Sequence, residues 1–168
     1  MKVLIAVEDK HFAKKIAEFV EAHPWPEPVE FKVLHVVEPF PLGSSETSYA
    51  TEKFVEEDRK LALKIVQVVS SQLKQSLPTA NIEEVVMTGT ANRVILEVAD
   101  EWPAEMIVMG SHCCAALDRI LLGSVPLSVA SHAPCSVAIV RLSEEKPMQF
   151  EMCEEELPEQ LREYTASN

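Results

Sequence analysis

No apolar run in this chain approaches the roughly 20 residues that a membrane-spanning helix needs. The opening Met1-Lys2 and VLIAV imitate a secretory leader only briefly, because Glu8, Asp9 and Lys10 interrupt the apolar segment. It reads as a first strand, and no membrane partner is expected. Cysteine is sparse: four residues, two of them adjacent at 113 and 114, build neither a disulfide framework nor a C-x-x-C pair. Reduced thiols and a cytoplasmic location are the expectation. Positive charge is short as well, with 15 Lys and Arg against 27 Asp and Glu, a net of −12. Nucleic acid and anionic lipid both need a basic surface, so nucleic acid is not an expected partner either. The four glycines do not fall into the common catalytic or phosphate motifs. No lysine follows a glycine-rich loop, no serine sits in a G-x-S-x-G elbow, and no glycine trio opens a helix after the first strand. No catalytic residue and no metal ligand set are assigned.

What the chain does have is 47% hydrophobic content over 168 residues, enough for one globular domain with a real core. Residues 2–7 (KVLIAV) form a continuous aliphatic run, as expected of a strand buried on both faces of a parallel sheet. Phe12, Ile16, Phe19 and Val20 then fall at helical spacing over 10–22, until Pro24, Pro26 and Pro28 end that helix. A second strand is expected at 31–37. A long helix follows at about 49–75, with Phe54, Leu61, Ile65 and Val68 as its buried stripe. A third strand is expected at 82–87, then a helix with Ile95, Val98, Ala99 and Trp102 on one face. Strands at 106–109 and 135–141, separated by a helix at 125–131, complete the series. Such alternation gives a three-layer α/β sandwich with a five-stranded parallel sheet, Rossmann-like in kind.

Residues 143–168 differ, with eight Glu against Lys146 and Arg162, a net of −6 and half of the total charge. A disordered acidic terminus fits that composition. So does a short helix with Met152, Leu157, Leu161 and Tyr164 on one face, packing on the domain or a partner.

The stretch MIVMGSHCCAALDRILLGS at 106–124 organises the rest. A buried strand is expected to break at Gly110. Gly123-Ser124 then opens the next helix, with Ser124 as N-cap and Pro126 in the first turn. Exposed amides at a helix start after a buried strand favour an anion, so a phosphate-bearing ligand is the first functional hypothesis. In open parallel sheets ligands bind beyond the carboxyl ends of the strands, where strand order reverses. The turns after Val7, after Val36, at Gly89 and at Gly110 would all open there. Glu8, Asp9 and Glu38 offer carboxylate oxygens of the kind that holds Mg²⁺, although solvated carboxylates are the plainer reading. His112-Cys113-Cys114 is a poor tetrahedral set, since neighbours in sequence seldom share one ion. A redox-active thiol pair or two buried small side chains remain as readings.

Gly110, two residues, Cys113, nine residues and Gly123-Ser124 together resemble the glycine signature of the universal stress protein family. MIVMGSH at 106–112, ILLGSV at 120–125, SHAPCSVAIVR at 131–141, LHVVEP at 34–39 and the opening VLIAV are similar to further parts of that family's pattern. The likeness covers residues 1–142 as one domain and leaves the acidic tail, 143–168, outside. It implies a five-stranded fold of the adenine nucleotide alpha hydrolase type and a stress-response or signalling role. It also implies a homodimer formed through the last strand, which begins at Cys135 and ends at Arg141; pairing that edge would cover exposed backbone groups. The ligand it implies is an adenine nucleotide (ATP, ADP or AMP), with room for an accompanying Mg²⁺.

Carried over position by position, the resemblance lays the adenine against the backbone of Val36. Ribose and phosphates would lie over Met109, Gly110, Gly123, Ser124 and Val125, with Ala6, Val7 and Glu8 nearby and His112 and Cys113 in the intervening loop. Four positions depart from the pattern. Cys113 replaces the second glycine, Glu8 an aspartate and Ala116 a small turn glycine. Pro126 replaces a Ser or Thr and so removes a hydroxyl and an N–H. Two readings follow: a module that binds nucleotide weakly without appreciable turnover, or a homodimeric interaction module whose degraded loop is empty and whose acidic tail engages a protein partner. Slow ATP hydrolysis or adenylyl transfer is a third.

Overall fold

Five strands and four helices alternate along residues 1–38, 48–111 and 122–141, which the computed structural model describes. They are β1 (Lys2–Ala6), α1 (Lys10–Ala22), β2 (Glu30–Val37), α2 (Ser48–Ser76), β3 (Asn81–Thr88), α3 (Ala91–Glu101), β4 (Met106–Ser111), α4 (Ser124–His132) and β5 (Ser136–Arg141). His112, Cys113, Cys114, Ala116 and the acidic tail lie outside the described residues. The strands form one sheet in the order β3-β2-β1-β4-β5, every neighbouring pair parallel. Ala6 stands opposite Leu34 on one side and Met109 on the other. Strand order therefore reverses between β1 and β4.

Alternation along β1 builds both cores. Val3, Ile5 and Val7 meet Phe12, Ile16 and Val20 of α1 and Ile65, Val66, Val69 and Leu73 of α2. Leu4 and Ala6 face the other way, with Ile107, Met109, the α3 residues Val94, Ile95, Val98 and Ala99, and Val129 of α4. Both faces of the central strands are thus buried, each full side chain adding about 1.5–3 kcal/mol of apolar transfer. This is the three-layer sandwich expected from the sequence.

Three local expectations are corrected. The buried stripe of α2 is Ala62, Ile65, Val66, Val69 and Leu73, while Leu61 and Val68 are 46% and 57% exposed. Apolar residues come in pairs along this helix (61/62, 65/66, 68/69), so periodicity admits two neighbouring stripes and only the packing against α1, β2 and β3 selects one. The N-cap of α4 is Gly123, not Ser124, and no side chain caps it.

The third correction concerns Gly110, which does not break the strand. It lies inside β4, opposite Val140 of β5. A Cβ built on it would run into the ring of Phe12, with Cε1 and Cγ at 2.6 Å. Phe12 is itself 1% exposed, so a Cβ at 110 would have to displace a packed ring. Gly110→Ala is expected to cost about 1–3 kcal/mol by overpacking, measured by urea unfolding. In a Phe12→Leu background the same change should cost clearly less. An equal loss in both backgrounds would show that the ring is not the obstacle.

Candidate functional site

A cleft of about 280 Å³ opens beyond the carboxyl ends of the strands at the β1–β4 reversal. Ala6 ends β1, with Val7 and Glu8 just after it; Leu34, Val36 and Glu38 come from β2 and the residue after it. Met109 and Gly110 of β4 continue the floor. Ala91 and Ile95 of α3, Val125 and Pro126 of α4, and Phe12 of α1 form the walls. Seven of the residues expected here from the sequence line this cleft: Ala6, Val7, Glu8, Val36, Met109, Gly110 and Val125. Gly123 and Ser124 precede Val125 at the start of α4, and the Gly123 amide points to the buried Ser111 Oγ at 3.5 Å. His112 and Cys113 are not among the described residues.

Phe12, Leu34, Ala91 and Ile95 border the cleft without having been singled out for it. Phe12 and Ile95 carried the signal of a buried helical stripe, which looks the same whether it ends against another side chain or against a cavity, and Leu34 that of a buried strand. Pro126 was read as a lost donor and is also a wall.

The helix starts around this edge are treated differently from one another. Asp9 caps α1, its Oδ1 accepting the Phe12 amide at 3.0 Å. Glu38 caps α3 from another strand: its Oε1 accepts the Ala91 amide at 2.7 Å, where Thr90 makes no side-chain cap bond. Two of the three carboxylates that the sequence offered to Mg²⁺ are therefore engaged as helix caps. Among the described residues no three His, Cys, Asp or Glu side chains gather closely enough to hold a metal ion. The start of α4 has no acidic cap, and its first two amides, on Ser124 and Val125, precede Pro126. Among the described residues that line the cleft, Glu8 and Glu38 carry the only charges, and both are negative.

A second cavity of about 440 Å³ lies on the α2 side of the same strand tips and shares Glu8, Val36 and Glu38 with the first. His35 borders it. Burial pushes this imidazole below its ordinary value of 6.5, against a Val7 backbone hydrogen bond and the charge of Glu8. Among the described residues its buried Nδ1 has no hydrogen-bond partner.

With this geometry in place, the family model described as "Universal stress protein family" matches residues 1–141. A universal stress protein from Thermus aquaticus is 28% identical over 139 residues, covering 83% of this chain and 97% of its own length. The structure of UspA from Lactobacillus plantarum is similar with a TM-score of 0.70 at 18% identity, covering 84% of this chain and 97% of that one. The universal stress protein from Archaeoglobus fulgidus in complex with dAMP is similar with a TM-score of 0.60 at 23% identity, covering 83% and 97%.

Two outcomes follow from the side-chain contacts. Glu38→Ala removes the acceptor at the α3 start and is expected to lower stability by about 1 kcal/mol, read from the urea midpoint. No change would mean that water replaces the cap without loss. Burial disfavours the charged form of His35 in the fold, so the unfolded chain binds a proton more readily. The stability it preserves is full above about pH 6.5 and is lost progressively below it, as pH falls through the lower value of the folded state. The urea midpoint should therefore drop further in the wild type than in His35→Gln between about pH 8 and about pH 5.5. Parallel curves would refute this.

Proposed function

Because the chain belongs to the universal stress protein family, we propose that the cleft at the β1–β4 reversal takes an adenine nucleotide and that the protein is a nucleotide-responsive stress or signalling module. The observation that carries this reading is the form of the cleft. It is an apolar slot at the point of strand-order reversal, and it ends at a helix start with no acidic cap. Leu34, Val36, Ala91 and Ile95 offer a flat base an apolar seat. The Ser124 and Val125 amides offer one anion the positive end of α4. The Archaeoglobus fulgidus relative, whose fold is similar, is described in complex with dAMP, which supports an adenine nucleotide over other planar ligands.

Binding without turnover is the reading for this cleft. Glu8 and Glu38 are the only titratable groups among its described lining residues, and Glu38 is already bonded to Ala91. A magnesium ion would enter with the nucleotide's phosphates, its ordinary mode, rather than sit in a preformed cage. Pairing of two copies through β5 is part of the same proposal. Val137, Ala138, Ile139 and Val140 are half-buried on that sheet edge, and β5 pairs only with β4 within the described chain.

The test is calorimetric titration of AMP, ADP and ATP into protein stripped of nucleotide, with thermal unfolding alongside. At about a hundredfold excess over Kd a ligand adds about 2.7 kcal/mol to the fold. That should raise Tm by several degrees for a domain of this size. No heat and no shift with any of the three at millimolar concentration would overturn the reading and leave the interaction module in its place.

A further inference from the structure

We infer that the acidic tail, residues 143–168, folds back on its own domain and seats on the outer face of α1 and α2. The seat is the stripe of α2 that the fold leaves outside. Leu61, Lys64 and Val68 recur at i, i+3 and i+7, so they share one side of the helix, and all three are exposed. That side looks toward α1. Leu61 lines the second cavity together with Asp9, the cap of α1, and Ser76 further along α2 donates to Glu21 of α1 at 2.7 Å. Cations border the stripe on both helices. The side chains of Lys14 and Lys15 on α1 and Lys60 on α2 are 75%, 53% and 66% exposed. Lys14 and Lys15 share the single carboxylate of Glu18, at 3.9 and 3.2 Å, and Lys60 lies 3.8 Å from Glu56. Exposed pairs of this kind along one helix are weak, and they leave each ammonium group able to take a further carboxylate.

An apolar line bordered by lysines suits a segment that mixes apolar residues with carboxylates, and the tail is such a segment. Its eight Glu surround Met152, Leu157, Leu161 and Tyr164. Residues 1–142 carry the other half of the net charge, −6, so an acidic segment is repelled from the domain as a whole and drawn to a local group of lysines. The tail also starts in the right place. It follows Arg141, the last residue of β5, which stands opposite Ser111 at the carboxyl edge of the sheet. Helix α1 begins at that edge and packs on β4 and β5, with α2 beside it on the same face. Residues 142–151 span about 33 Å when extended, well beyond the roughly 10–12 Å width of the one helix they must cross.

The experiment is carbodiimide cross-linking of the full chain, which joins a carboxylate to a touching lysine without a spacer, with the products mapped by mass spectrometry. Links from the tail glutamates should fall on Lys14, Lys15, Lys60 and Lys64. They should exceed severalfold those on Lys74, which is 54% exposed against 53% for Lys15 but is bonded to Glu84 of β3. In an equal mixture of ordinary and nitrogen-15 protein the links should join residues of one copy. Leu61→Ser with Val68→Ser keeps all four lysines and should reduce their links severalfold. Leu157→Ser with Leu161→Ser, outside the domain, should do the same, which keeps the test open if α2 does not accept serine. No links from the tail, links spread evenly over the exposed lysines, or links formed between copies would overturn the docking. Yields that neither double variant changes would overturn the apolar stripe as its seat.

Discussion

The ring of Phe12 against the bare backbone of Gly110 is the contact on which the carboxyl edge of the sheet depends. Phe12 sits in the first turn of α1, where Asp9 holds its amide, and its ring is driven fully into the sheet. At that point β4 has no room for a side chain. The contact therefore ties the first helix to the fourth strand where the strand order reverses, and the same ring forms one wall of the cleft. Packing against Phe12 favours a glycine here whether or not a ligand is present. The case for a ligand rests instead on the cavity and on the uncapped start of α4.

Around that contact the chain distributes its carboxylates by task. Asp9 and Glu38 close two helix starts, the second from a residue 53 positions away in sequence. Glu8 remains at the rim shared by both cavities. Among the described residues the start of α4 has no side-chain cap, and the carboxylates of Glu8 and Glu38 line the cleft beside it. Because Glu8, Val36 and Glu38 line both cavities, an occupant of the cleft would touch the same strand tips that bound the His35 side.

The fold was legible because β1, β2 and β4 are buried on both faces, and such strands appear as uninterrupted aliphatic runs. The reversal at β1–β4 was not, since strand order leaves no local mark in sequence. The side of α2 that packs inward was misread because Leu61-Ala62 and Val68-Val69 satisfy two stripes equally well. At the site, strand-tip residues such as Ala6, Val36 and Met109 were legible from topology and family pattern together. Phe12 and Ile95 were not, because helical core residues that border a cavity share the pattern of those that do not. The capping role of Glu38 was beyond reach for a simpler reason: its partner lies across a helix and a strand, and nothing local announces it.

Amide NMR spectra of the labelled protein, recorded as AMP is added, test most directly whether a ligand enters this cleft. Occupation should move the signals of Val7, Val36, Gly110, Ser124 and Val125, which converge from four different elements. The signals of Glu27 and Thr79, at the opposite edge of the sheet, should stay in place. Shifts confined to residues away from the strand tips, or no shift at millimolar AMP, would contradict the assignment of the cleft as the binding site.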